Sequence, residues 1–196
     1  MIIHINGGSG SGKSTLGATL KKAGYFVIET DDIDDHIMLN LIKKHPNAFD
    51  SRKSTDAIFK IQSKLYEEQI NKLIAKYKNI IFVGIIHHKK NLLKNADHKY
   101  YIHVDYETHF KQLATRTLND LCNNRKEILK MINNSKNLNT TDKMLLYKYK
   151  IRAPFPFDDL NGFIQKTKKR ELKYKKEDYK IMSAKDIYSD IIKLNL

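Results

Sequence analysis

Gly7, Gly8, Ser9, Gly10, Ser11, Gly12, Lys13 and Ser14 satisfy the pattern G-x-x-x-x-G-K-[ST], with Thr15 behind them. No other feature constrains the chain as much, because the pattern belongs to one setting, a loop between a strand and a helix. That setting is present. Met1, Ile2, Ile3, His4, Ile5 and Asn6 form a short, mostly apolar run suited to a buried parallel strand. Leu16, Ala18, Leu20 and Ala23 then accompany a helical stretch that ends at Gly24. The glycines let the backbone turn and approach a ligand, so that successive N–H groups converge on phosphate oxygens. A helix opening at Lys13 adds the positive end of its dipole. Lys13 would extend to the β- and γ-phosphates of a nucleoside triphosphate, and the Ser14 hydroxyl would ligate the magnesium bridging them, with Thr15 at the back of the cradle.

At 196 residues and 41% hydrophobic content, the chain can bury one core, so a single domain covering 1–196 is expected. No apolar run approaches the roughly 20 residues that cross a bilayer, and the first residues enter a strand without a charged leader. The expectation is a cytoplasmic protein without a membrane partner. Cys122 is the single cysteine, which rules out an internal disulfide. The formal charge of +14 would by itself point to a polyanion. The excess is almost all lysine, beside five arginines and abundant asparagine and isoleucine, a combination that an AT-rich genome produces through codon usage. Nucleic acid therefore stays a possible partner that the charge does not favour.

Along the chain, Tyr25, Phe26, Val27, Ile28 and Glu29 form a second strand, followed by an acidic turn in which Asp31, Asp32, Asp34 and Asp35 supply four carboxylates in five positions. Residues just past a strand's carboxyl end face the ligand crevice of a doubly wound sheet, so Asp31 and Asp32 would project toward the cradle. Either could accept a proton or hold magnesium through water, and Asp31 stands nearest the strand. The alternative is that such acids simply favour the start of the next helix. The polar segment 48–55 reads as a loop carrying Arg52, which could bind an anionic acceptor or be solvated. A long amphipathic helix follows, capped by Ser54 or Thr55. Asn79, Ile80, Ile81, Phe82, Val83, Gly84, Ile85 and Ile86 suit a central strand. His87 and His88 come after it, where either could touch substrate or serve only as loop.

A fourth strand runs through Tyr100, Tyr101, Ile102, His103 and Val104, and Asp105 caps the helix with Phe110, Leu113, Ala114, Thr117 and Leu118 on one face. From Asn119 the chain becomes polar, and 119–157 reads as an insertion. Helical patterning resumes after Asp158 and enters a basic run, 166–176, whose default reading is a solvated face. Tyr179, Lys180, Ile181 and Met182 make a fifth strand, and Ser183 caps a last helix. Five strands alternating with helices specify a three-layer α/β fold with a parallel sheet.

The chain resembles the P-loop kinases of the nucleoside-monophosphate and shikimate kinase type. The residues that carry the resemblance are the cradle from Gly7 to Gly17, the acidic turn Thr30-Asp31-Asp32, the stretch His103-Val104-Asp105-Tyr106-Glu107 leading to Arg116, and Met182-Ser183-Ala184-Lys185-Asp186. The resemblance implies sheet order 2-3-1-4-5, a helical lid in the insertion, and lid arginines that close over the triphosphate. By position these are Arg116 and Arg125, with Arg152 weaker. It also implies that Ser183 and Ala184, with Lys185, lie beside adenine. The region around Gly84, Ile85, Ile86, His87 and His88 matches no acceptor signature of adenylate, thymidylate, cytidylate or shikimate kinases, and an aspartate ending the third strand is missing.

The activity expected is transfer of the γ-phosphoryl group of ATP, with Mg2+, to a small acceptor such as a nucleoside, a nucleotide or another hydroxylated metabolite. Lys13, magnesium and the lid arginines would stabilise charge on the equatorial oxygens. Asp31 would act as base or orienter on a hydroxyl acceptor, whereas Arg52 would matter more for a phosphate acceptor. Two alternatives are a polynucleotide 5′-hydroxyl kinase and a nucleotide-binding switch or inactive interaction module.

Overall fold

The structure, a computed structural model, describes residues 1–45, 52–85, 92–134 and 158–194. Strands β1 (Ile2–Gly7), β2 (Val27–Glu29), β3 (Ile80–Val83), β4 (His98–Ile102) and β5 (Lys180–Met182) form one sheet of order β2-β3-β1-β4-β5. All four pairings are parallel. The helices are α1 (Lys13–Lys22), α2 (Thr30–Lys44), α3 (Arg52–Lys76), α4 (Tyr106–Asn123), α5 (Arg125–Asn134), α6 (Leu160–Lys176) and α7 (Ala184–Ile192). The fold class expected from the sequence, and the sheet order that the resemblance implies, are those observed.

Strand alternation sorts the core into two faces. Ile3, Ile5, Ile81, Val83, Tyr100 and Ile102 point to one side, where they meet Leu16 and Leu20 of α1 and Ile187 and Ile191 of α7. Ile80 and Phe82 point to the other and pack on Tyr66 and Ile70 of α3. Met38 and Leu41 of α2 with Ile58 of α3 close a smaller cluster between those helices. Each fully buried aliphatic chain here is worth roughly 1.5–3 kcal/mol relative to exposure. The second face is polar along β1. His4 donates from Nε2 to the Gly84 carbonyl at 3.1 Å and accepts at Nδ1 from the Tyr179 hydroxyl at 2.6 Å.

Several boundaries differ from the sequence reading, each for a local reason. Tyr25 N–H donates to the Leu20 carbonyl and so finishes α1, leaving β2 to start at Val27. Tyr179 N–H likewise donates to the Tyr174 carbonyl and closes α6, so β5 starts at Lys180. The acidic turn is instead the first turn of α2, which opens at Thr30; that side chain is fully buried and donates to the Val83 carbonyl at 3.4 Å. Arg52 opens α3 rather than standing in a loop. Helix α4 runs past Asn119 to Asn123, and α5 follows directly, so the change of composition at 119 is not a break in structure. The rest of the expected insertion, 135–157, lies outside the described residues and includes Arg152. Among the described residues, no helix is long and apolar enough to cross a membrane.

Candidate functional site

The glycine-rich loop leaves β1 at the carboxyl edge of the central strand and ends as α1 begins. Gly10 and Gly12 sit at φ 78° and 87°, in the left-handed region, and Gly12 is the residue before the helix. Side chains are excluded at the loop's first two positions for a different reason. A Cβ on Gly7 would lie 2.5 Å from Ser11 Oγ, and one on Gly8 would lie 2.5 Å from His109 Cε1. Lys13 is 9% exposed and folds back along the loop, donating from Nζ to the carbonyls of Gly7 at 3.1 Å and Gly8 at 2.8 Å. Ser11 Oγ is buried in the loop without a hydrogen-bond partner. A cradle of main-chain donors, a buried ammonium group and an orphaned hydroxyl fit a polyphosphate, whose oxygens would engage all three. Ser14 and Thr15 are exposed on the first turn of α1, where Ser14 can reach a cation held by such a ligand.

Asp31 comes to the same edge of the sheet. Its Oδ1 is buried without a hydrogen-bond partner and lies 3.2 Å from where a Cβ on Gly84 would stand. Gly84, at φ 139°, ends β3 and donates to the Ile5 carbonyl of β1. A Cβ there would be 2.0 Å from Thr30 Oγ1, so only glycine lets the start of α2 approach this closely. An unpartnered carboxylate oxygen at this edge of the sheet can take a proton or a hydrated cation. Among the described residues, no group of three or more His, Cys, Asp or Glu side chains gathers as a metal cage. Magnesium needs none, since it keeps waters and is held through one or two carboxylates and substrate phosphates.

Asp32 does not accompany its neighbour, because helical residues turn by about 100° each and α2 has already begun. It lines a separate cleft of about 700 Å³ between α2, α3 and the edge strand β2, with His36, Leu65 and Lys72 among the walls. Lys21 also lines it, eight residues or about 12 Å along α1 from Lys13. The structure thus sets Asp31 beside Gly84 at the carboxyl end of β3 and Asp32 in the separate cleft.

Two residues beside the loop were missed by the sequence reading. His109, on α4, is 4% exposed and places Nε2 2.6 Å from the Ser9 carbonyl. Burial is the main cause that lowers its pKa, and the charges of Lys13 and Arg170 act in the same direction. Arg170, on α6, holds Nη1 3.7 Å from the would-be Cβ of Gly8 and faces Tyr101, Tyr174 and His109. Its helix is fixed by the next residue. Glu171 accepts from Tyr106 at 2.9 Å and contacts His103 Nδ1 at 2.8 Å, tying α6 to the start of α4. The available signals were weak: a ring one turn before Leu113 on the apolar side of α4, and one arginine in a lysine-rich run.

The other expected residues are more dispersed. Arg116 is exposed and paired with Asp120 at 3.9 Å on α4, and Arg125 is exposed at the first residue of α5. Ser183 caps α7, accepting from Asp186 N–H at 3.2 Å, while Ala184 packs on the main core. The Arg52 side chain and all of His87 lie outside the described residues.

No protein-family model matches the chain, and no curated protein does. Solved structures do. The structure titled as TT1252 from Thermus thermophilus matches at 18% identity over 59% of this chain and 72% of that one, with a TM-score of 0.45. Shikimate kinase from Acinetobacter baumannii, solved with shikimate, matches at 15% identity over 98% of this chain and 91% of its own, with a TM-score of 0.51. The parallel five-stranded sheet and its helices therefore have the fold of shikimate kinase, a P-loop kinase fold.

Proposed function

We propose that this chain is an ATP- and Mg2+-dependent phosphotransferase that moves the γ-phosphoryl group to a small acceptor, a nucleoside, a nucleotide or another hydroxylated metabolite. The observation that carries this reading is the buried Lys13 Nζ on the carbonyls of Gly7 and Gly8, at the same sheet edge as the unpartnered Asp31 carboxylate. Lys13 exchanges those carbonyls for the β- and γ-phosphate oxygens when nucleotide enters, and the loop N–H groups, apart from that of Ser11, which donates to the Gly8 carbonyl, hold the rest. Ser14, and Asp31 through water, would hold Mg2+, which when bound would supply neutralisation of the triphosphate charge. The bond from phosphorus to the β-oxygen breaks as one to the acceptor oxygen forms. With a hydroxyl acceptor, its proton passes to Asp31.

Arg170, beside Gly8, joins Lys13 in countering charge on the transferring group, and Arg116 and Arg125 are the arginines assigned to closure of the lid in 119–157. Ser183 and Ala184 are assigned to the adenine, and Asp32, Arg52 and His87 to the acceptor. A second reading, a polynucleotide 5′-hydroxyl kinase, draws on Lys166, Lys168, Lys169, Lys173, Lys175 and Lys176, all exposed on the helix that brings Arg170 to the loop.

The test is an acceptor screen with ATP and Mg2+ over nucleosides, nucleoside monophosphates, hydroxylated metabolites and 5′-hydroxyl oligonucleotides. Lys13→Ala is expected to lose turnover on every acceptor, and Asp31→Asn to lose roughly 10²–10⁴-fold on hydroxyl acceptors. Full turnover by Lys13→Ala sinks the reading. Turnover confined to oligonucleotides and falling steeply with salt selects the second one.

A further inference from the structure

We propose that His109 is a positioning residue for nucleotide binding, fixing the outward carbonyl face of the phosphate loop from helix α4; the proposal rests on the nucleotide reading above. When a loop turns its N–H groups inward onto a ligand, its carbonyls point outward and need donors of their own. Three carbonyls in succession find them here. Lys13 serves Gly7 and, together with the Ser11 N–H, Gly8, and His109 serves Ser9.

The two donors differ in what nucleotide does to them. The Lys13 ammonium must leave its carbonyls to reach phosphate, so its hold on the loop is lost at the moment of binding. His109 sits 100 positions away in sequence on α4 and has no need to leave Ser9 when nucleotide enters, so that bond persists. It then keeps the Gly8–Ser9 peptides oriented while Lys13 moves.

The ring is held firmly enough for that role. It stands edge-on to Phe163 of α6, with centroids 5.1 Å apart, and Phe163 stands edge-on to Phe110 at 5.4 Å. Its Cε1 and Nε2 cover Gly8 so closely that a Cβ there would fall 2.5 and 3.1 Å away. Acceptance by a carbonyl requires the proton on Nε2. A second proton is opposed chiefly by burial and also by the cations that face the ring, Lys13 of α1 and Arg170 of α6, against the Ser9 carbonyl and the single carboxylate of Glu171. The neutral, Nε2-protonated ring is therefore the working form at neutral pH.

The experiment compares wild type with His109→Phe, which keeps an aromatic ring between Gly8 and Phe163 but removes the donor, and His109→Gln, whose amide restores one. ATP with Mg2+ is titrated by calorimetry, and thermal midpoints are taken without nucleotide. His109→Phe is expected to bind ATP about 10-fold more weakly with its midpoint little changed, and His109→Gln to recover to within about 3-fold of wild type, since one hydrogen bond is worth about that much. Equal affinity in wild type and His109→Phe overturns the proposal while leaving the nucleotide reading intact. If His109→Phe does not fold, His109→Asn, too short to reach Ser9, takes its place. Equal affinity in His109→Asn and His109→Gln overturns the proposal. A wild type that binds no ATP overturns the nucleotide reading, and the proposal with it.

Discussion

His4 illustrates how one buried ring couples folding to pH. Both its nitrogens are used in the neutral form, Nε2 as donor to Gly84 and Nδ1 as acceptor from Tyr179. Burial lowers its pKa to about 4, well below its ordinary 6.5. The unfolded chain therefore binds a proton as pH falls below 6.5, and the folded chain does so only near 4. The stabilisation is complete above 6.5 and is lost between 6.5 and 4, roughly 3 kcal/mol in all. Urea midpoints at pH 7.5 and 4.5 should show that loss in wild type and much less of it in His4→Gln, whose amide can both donate and accept. Parallel pH dependence in the two proteins would count against the assignment.

Among the elements, those defined by local chemistry were legible in the sequence and those defined by contact were not. The cradle, the order of strands and helices, and the caps by Asp105 and Ser183 follow from patterns within a few residues, and all are present. Only the first turn of α2 was left open, because an acidic run after a strand suits a turn and a helix start equally. Burial of Thr30 against Val83 decides between them, and that contact spans 53 positions. His109 and Arg170 escaped for the same reason, since their partners lie on a loop near the other end of the chain. At this scale the last helix offers a test. Ser183→Ala should cost about 1 kcal/mol of stability, because the cap hydroxyl meets Asp186 N–H, and should weaken ATP binding as well, since Ser183 is assigned to the adenine. Unchanged affinity in the same calorimetric titration would leave the hydroxyl with the cap alone and remove it from the adenine site.

For the molecule as a whole, a ligand that binds only the folded state must raise its stability. ATP with Mg2+ at 100 times its dissociation constant contributes about 2.7 kcal/mol, which for a chain this long shifts the thermal midpoint by about 5–10 °C. Lys13→Ala should abolish the shift, and scanning fluorimetry would read it directly. The sheet has a further consequence for association. Its outermost strands, β2 and β5, are three residues long, and each carries a charged side chain, Glu29 on one and Lys180 on the other. A neighbouring copy seeking to extend the sheet would find almost no ladder to grip at either margin, so the long central strands stay shielded from fibril-like stacking even in a concentrated solution.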